Sequence, residues 1–131
     1  MKRISISKDT NFIGSWNIND DNLCNNIVKI FEENTILHQK GGTSQGIDEK
    51  VKKSTDIGID PIDLNKKEFN DIKVYLNKLY HCYQDYKTQW PFLNKSLEVV
   101  DIPTFNIQKY EIGGHFARMH CEREGVPSMH R

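Results

Sequence analysis

Residues 105–122 read FNIQKYEIGGHFARMHCE, and how this stretch folds decides the architecture of the chain. The segment Thr104–Ile112 alternates apolar and polar residues as a half-buried strand does, and Gly113-Gly114 then interrupts it. His115–Glu122 is predicted to form a second strand that pairs with the first. Side chains alternate across a strand, so His120 and Glu122 share one face while Met119 and Cys121 share the other. Two groups about 6.5–7 Å apart on one strand can converge on a single cation. An imidazole nitrogen and a carboxylate oxygen suit a mid-series ion such as Fe(II), although two protein ligands alone hold it weakly. The same H-x-E triplet also occurs on ordinary polar strand faces that bind nothing.

The rest of the chain sets the frame for this stretch. Its 131 residues are the length of one domain with a modest core. Eighteen Lys and Arg balance eighteen Asp and Glu, so no overall field draws in nucleic acid or an anionic membrane. No apolar run approaches the roughly 18–20 residues that cross a bilayer, and MKRISISKDTN has no apolar core of an export signal behind its basic residues. Three widely spaced cysteines, Cys24, Cys82 and Cys121, form no C-x-x-C and no disulfide framework. The expected compartment is the cytoplasm.

Two helices are predicted ahead of the β-structure. The cluster Asn19–Asn22 supplies capping groups for a helix from about Asp21, whose core face carries Leu23, Ile27, Ile30, Phe31 and Asn34. A longer helix over residues 66–90 opens at Asn65 and Glu68, which have capping-box spacing. It presents Phe69, Ile72, Leu76, Leu79, Tyr83 and Tyr86 on one side and stops at Pro91. His81 and Cys82 point about 100° apart on that helix and make a poor shared metal site. Trp16 and Trp90 are read as packing residues.

Between the helices, QKGGTSQG (39–46) is a loop, and VKKSTDIGI (51–59) is a strand leading to a turn at Asp60-Pro61. The loop lacks the Gly-Lys-Ser/Thr ending of a phosphate-binding P-loop. Lys53, Ser54, Thr55 and Asp56 read as a charged strand and turn, or as the edge of a substrate mouth. Helices first and strands last make the class α+β.

On FNIQKYEIGGHFARMHCE, the chain resembles the iron-site region of the Fe(II)- and 2-oxoglutarate-dependent dioxygenases, in particular the prolyl-4-hydroxylase-like group of bacterial or phage type. The resemblance extends more loosely over FIGSWNI, KKSTD and the tyrosine-bearing helix. It implies N-terminal helices packed on an incomplete double-stranded β-helix, or jelly-roll, core within a single domain spanning residues 1–131. It further implies His120 and Glu122 as metal ligands and Tyr110 as a 2-oxoglutarate-binding residue. Arg118, of the same parity as His120, is read either as pocket lining that contacts the cofactor or as a surface arginine. Arg131 resembles the arginine that opens the next core strand.

The implied cofactors are Fe(II) and 2-oxoglutarate, with ascorbate as an auxiliary reductant, and the implied substrate is a protein or an amino acid. Glutamate stands where most of that family has aspartate, and His130 does not match the family's second histidine. The expectation is therefore the N-terminal part of an oxygenase fold, with the C-terminal core strands absent, weak or no activity alone, and self-association through open strand edges.

Three other readings were weighed. A zinc deaminase shares H-x-E but needs a downstream P-C-x-x-C, and only Pro127 is present. A zinc site from His115, His120, Cys121 and His130 conflicts with strand parity. A non-catalytic binding or assembly module derived from an oxygenase fold is the main alternative.

Overall fold

The protein was analysed as a computed structural model, which describes residues 1–5, 12–96 and 102–119. It is α+β, mixing helices with small open sheets. The described chain divides into two compact units. One comprises Met1–Leu37 with Gly58–Ile107, and the other comprises His38–Ile57 with the segment that starts at Gln108.

In the first unit, strands β1 (Lys2–Ile4) and β2 (Ser15–Asn17) pair antiparallel, with Arg3 opposite Trp16. Helix α1 (Asp21–Glu33) begins where expected, because the Asp20 carboxylate accepts the Leu23 N–H at 3.1 Å and satisfies a donor that the first turn leaves open. Leu23 and Phe31 are its buried residues, while Asn25, Asn26, Lys29 and Glu33 face solvent.

Helix α2 (Asn70–Gln89) starts four residues later than the spacing predicts. Phe69 closes a short 3-10 turn, Lys67–Phe69, and no side chain caps α2. The capping box forms upstream instead, between Asp60 and Asp63 at the start of the 3-10 turn Pro61–Asn65, because Pro61 fixes φ at the first helical position and leaves Asp60 extended.

The buried stripe of α2 is also narrower than predicted. Ile72 and Cys82 are buried, while Leu79 is 47% exposed. Phe69 and Ile59 are also among the buried apolar residues described in this unit. Trp90 does pack at the helix end, 4.4 Å from the ring of Tyr86 and 5.4 Å from that of Phe12. Trp16 is half-buried and donates its indole N–H to Asp85 at 2.7 Å. The short helix α3 (Leu93–Ser96) follows.

The strands at Gln39–Lys40, Lys52–Lys53 and His115–Phe116 lie in the second unit, and those at Thr55–Ile59 and Phe105–Lys109 have residues in both. Gln39–Lys40, expected as loop, form strand β3, which pairs antiparallel with β5 (Thr55–Ile59), Lys40 opposite Thr55. The predicted strand 51–59 breaks at Ser54 into β4 (Lys52–Lys53) and β5. The break follows from Ser54, whose carbonyl accepts the Gly41 N–H and whose hydroxyl turns to Asp56. The three-stranded sheet has the order β3-β5-β6, where β6 is Phe105–Lys109.

One pairing differs from the sequence expectation. Strand β7 (His115–Phe116) pairs antiparallel with β4, not with β6, with Lys53 opposite His115 and Lys52 opposite Phe116. The turn at residues 111–114 is tight: the Gly114 N–H reaches the Glu111 carbonyl at 2.7 Å, and Gly113 has φ +83°. A positive φ at the third position is what a type II turn demands, and glycine adopts it without strain. Such a turn joins β6 to β7 while each lies beside a different strand.

Candidate functional site

Three side chains of the β4–β5 segment gather in the second unit. Lys52, Ser54 and Asp56 have the same parity, so an extended segment projects them to one side. The Lys52 ammonium lies 2.7 Å from Asp56 Oδ2 and 3.4 Å from the Gly42 carbonyl, and its side chain is 4% exposed. The Ser54 hydroxyl donates to Asp56 Oδ1 at 2.7 Å. Gln108 Nε2 donates to Asp56 Oδ2 at 3.3 Å, and the Tyr110 hydroxyl donates to Gln108 Oε1 at 3.3 Å. A polar chain thus runs from an exposed phenol to a buried ammonium. Each member satisfies the next, which a buried charge requires.

Gly41 makes room for this cluster. A Cβ there would lie 2.1 Å from Ser54 Oγ and 3.0 Å from Lys52 Cε, so no side chain fits without displacing them. The Lys52 ammonium also lies over the Phe116 ring, 5.9 Å from its centroid.

Two hollows open on this unit. The first, about 460 Å³, is lined by Thr43, Gln45, Asp48, Lys50, Val51 and Arg118 among others, and Arg118 donates to Gln45 Oε1 at 2.8 Å. The second, about 210 Å³, is lined by Lys40, Lys52, Lys53 and Lys109, with Glu49, Glu111 and the hydroxyl-bearing Ser54 and Thr55 beside them. At its rim the Lys40–Glu49 pair closes at 2.7 Å. That hydrogen bond holds the Glu49 carboxyl below its ordinary range and raises the Lys40 ammonium above its own.

The predicted site residues are placed as follows. Tyr110 ends the polar chain through Gln108 and lines neither hollow, whereas Arg118 lines the larger one. His120 and Glu122, the predicted metal ligands, lie outside the described residues, as do Cys121, His130 and Arg131. His115 turns Nδ1 toward the Gly113 carbonyl and Nε2 toward the Lys50 carbonyl, each at 3.3 Å. Among the described residues no three His, Cys, Asp or Glu side chains come together as a metal site.

The sequence alone reads Lys53–Asp56 as a charged strand and turn or as the edge of a substrate mouth, and does not show the burial of Lys52 and Asp56. The signal was available as Lys-x-Ser-x-Asp, a period-two polar face next to the apolar Ile57 and Ile59. No described helix is long and apolar enough to cross a membrane. Comparisons with protein-family models, with curated proteins and with solved structures found no match to this chain.

Proposed function

We propose that this chain belongs to the lineage of Fe(II)- and 2-oxoglutarate-dependent dioxygenases of the prolyl-4-hydroxylase-like type, whose substrate is a protein or an amino acid in the cytoplasm, with weak or no activity alone. Its helices would then pack on an incomplete double-stranded β-helix. The observation that carries this reading is the run 105–122. Strand β6, Tyr110 directly after it, the Gly113-Gly114 turn and β7 follow one another in the order that the resemblance requires, ahead of His120 and Glu122.

The donor set suits ferrous iron, one imidazole and one carboxylate, with a third protein ligand not assigned. The hollow beside Arg118 could take a small dicarboxylate, with Arg118 and Lys50 as cationic residues and Thr43 and Gln45 as neutral polar ones, although Asp48 adds one carboxylate to the lining. When bound, iron with 2-oxoglutarate and dioxygen supplies oxidative decarboxylation coupled to hydroxylation of a C–H bond, with ascorbate keeping the metal reduced. The work of this chain is to hold the metal through His120 and Glu122 and to orient the co-substrate through Arg118.

Anaerobic titration with Fe(II) and 2-oxoglutarate tests the reading. A visible metal-to-ligand charge-transfer band is expected, lost in His120→Ala, with little or no succinate formed on admitting oxygen. Absence of the band in the unaltered chain overturns it.

The second reading is a non-catalytic binding or assembly module derived from the same fold. It is favoured by the different surroundings of the two predicted cofactor residues, Tyr110 bonded to Gln108 and Arg118 to Gln45. Such a module would show no charge-transfer band, and self-association through open strand edges would be its main solution property.

A further inference from the structure

We infer that the lysine-lined hollow is a binding site for a small molecule bearing a doubly charged oxyanion, a phosphate monoester or a dicarboxylate. The inference does not depend on iron or on the dioxygenase reading. It starts from charge. Lys40, Lys52, Lys53 and Lys109 bring four positive charges to a hollow of about 210 Å³ whose lining carries two carboxylates, Glu49 and Glu111. Counting Asp56, which neutralises Lys52 from behind, the balance is still one positive charge.

The four lysines are not equivalent. Lys52 is fixed by Asp56 and the Gly42 carbonyl, so its ammonium is held in place. Lys40 and Lys109 pair with Glu49 and Glu111 at 2.7 and 2.8 Å, the first pair largely exposed and the second joining a partly buried lysine to an exposed glutamate. Exposed pairs of this kind are weak and screened, so a ligand anion competes for their ammonium groups. Lys53 has no carboxylate within ion-pair distance among the described residues, although its charge helps to hold the Glu49 carboxyl low, and it shares strand parity with the hydroxyl-bearing Thr55.

Shape agrees with charge. Gly41 and Gly114 form parts of the lining, so no side chain projects from either position. A Cβ on Gly114 would come within 2.8 Å of the Lys53 carbonyl and 2.9 Å of the Glu111 carbonyl, so this part of the wall is closed by backbone alone. The space is of the size of a phosphate or a four-carbon dicarboxylate, below the roughly 300 Å³ at which pockets for drug-sized ligands begin. The Lys53 ammonium and the Thr55 hydroxyl recognise an oxyanion by charge-assisted hydrogen bonds, while the Ser54 hydroxyl stays donated to Asp56.

The test is a ¹H–¹⁵N NMR titration of the whole 131-residue chain with inorganic phosphate and, separately, with succinate, in a buffer of low ionic strength. Saturable shifts of the Lys53, Ser54 and Thr55 amides are expected, with Kd on the order of 1 mM, fading at about 0.2 M salt. Lys53→Glu should weaken binding at least about tenfold, since it replaces attraction by repulsion at the same place. Lys95→Glu, on α3 in the other unit, should not change it. Thr55→Val, which keeps shape and charge, should weaken binding to a smaller degree.

Saturation by phosphate alone assigns the ligand to phosphate monoesters, and saturation by succinate alone assigns it to dicarboxylates. Saturation by both supports the shared dianion chemistry. The inference is overturned if neither anion saturates, if the shifts map to Gln45 and Arg118 instead, or if folded Lys53→Glu binds as well as the unaltered chain.

Discussion

The Lys52 ammonium and the Asp56 carboxylate meet at 2.7 Å with side chains only 4% and 9% exposed, so each is the principal compensation for the other's removal from water. A buried pair costs desolvation at both ends, and the attraction between its members roughly offsets it. Breaking the pair therefore differs from replacing it. Asp56→Ala, which leaves an uncompensated ammonium, is expected to lower the unfolding free energy by about 3–5 kcal/mol. The double variant Lys52→Met with Asp56→Leu is expected to stay within about 1–2 kcal/mol of the unaltered protein. Urea unfolding of both variants checks the contrast.

Asp20 gives the fold an acid-sensitive end. Its carboxyl is held below the ordinary carboxylate range, first by the Leu23 N–H and then by Lys78, whose Nζ is 3.2 Å away. A carboxyl with a lowered folded pKa stabilises the fold at pH values above its ordinary pKa of about 4. That contribution fades as pH falls through the folded value. Asp20→Ala should lower the urea midpoint at neutral pH and flatten the loss of stability below about pH 4. Asp20→Ser, which keeps an acceptor for the Leu23 N–H, should restore part of the midpoint but not the pH dependence.

The turn between β6 and β7 separates two costs of adding a methyl group. At Gly113 the penalty is conformational, because φ is +83° and no atom lies within 4 Å of the missing Cβ. Gly113→Ala should cost about 1–2 kcal/mol. Gly114→Ala meets two backbone oxygens under 3.0 Å, one of them on Lys53 of β4. It should therefore cost more than Gly113→Ala and speed hydrogen exchange at the Ala117 amide, which donates to the Val51 carbonyl at 2.8 Å. Equal effects of the two substitutions would contradict the pairing of β7 with β4.

Trp16 ties β2 to α2 through Asp85, which also faces the Arg3 guanidinium at 3.5 Å. Trp16→Phe keeps the ring in place, removes the indole donor and should cost about 1 kcal/mol by urea unfolding. Asp85→Ala should shift the emission of Trp16 as its indole N–H finds water. The Trp90 signal, from a ring packed on Tyr86 and Phe12, should stay where it is.

Local structure was legible in the sequence wherever one stretch of chain decides it. Helix α1 follows from Asp20 and from the spacing of Leu23 and Phe31, and β6 follows from the alternation of Phe105, Asn106, Ile107 and Gln108. The start of α2 was misplaced because Asn65 and Glu68 have the right spacing, but Pro61 enforces a cap at Asp60. The partner of β7 was misjudged because a glycine pair between two strands looks alike in a hairpin and in a turn that redirects the chain. Nothing within residues 105–122 says that β4 takes the place opposite His115. The Lys52–Asp56 pair escaped for a related reason. Whether a polar strand face meets water or protein depends on Gly41, Gln108 and Phe116, all distant in sequence. For the metal ligands, parity alone places His120 with Glu122, and both lie outside the described residues.

The enclosure of Lys52 also gives this unit an intrinsic clock. Acylating reagents attack a free amine, and an ammonium shielded by a ring and locked onto a carboxylate can react only in moments when its surroundings part. Lys40, Lys53 and Lys109 should label at once, while the slow appearance of modified Lys52 in a mass spectrum would count those openings directly.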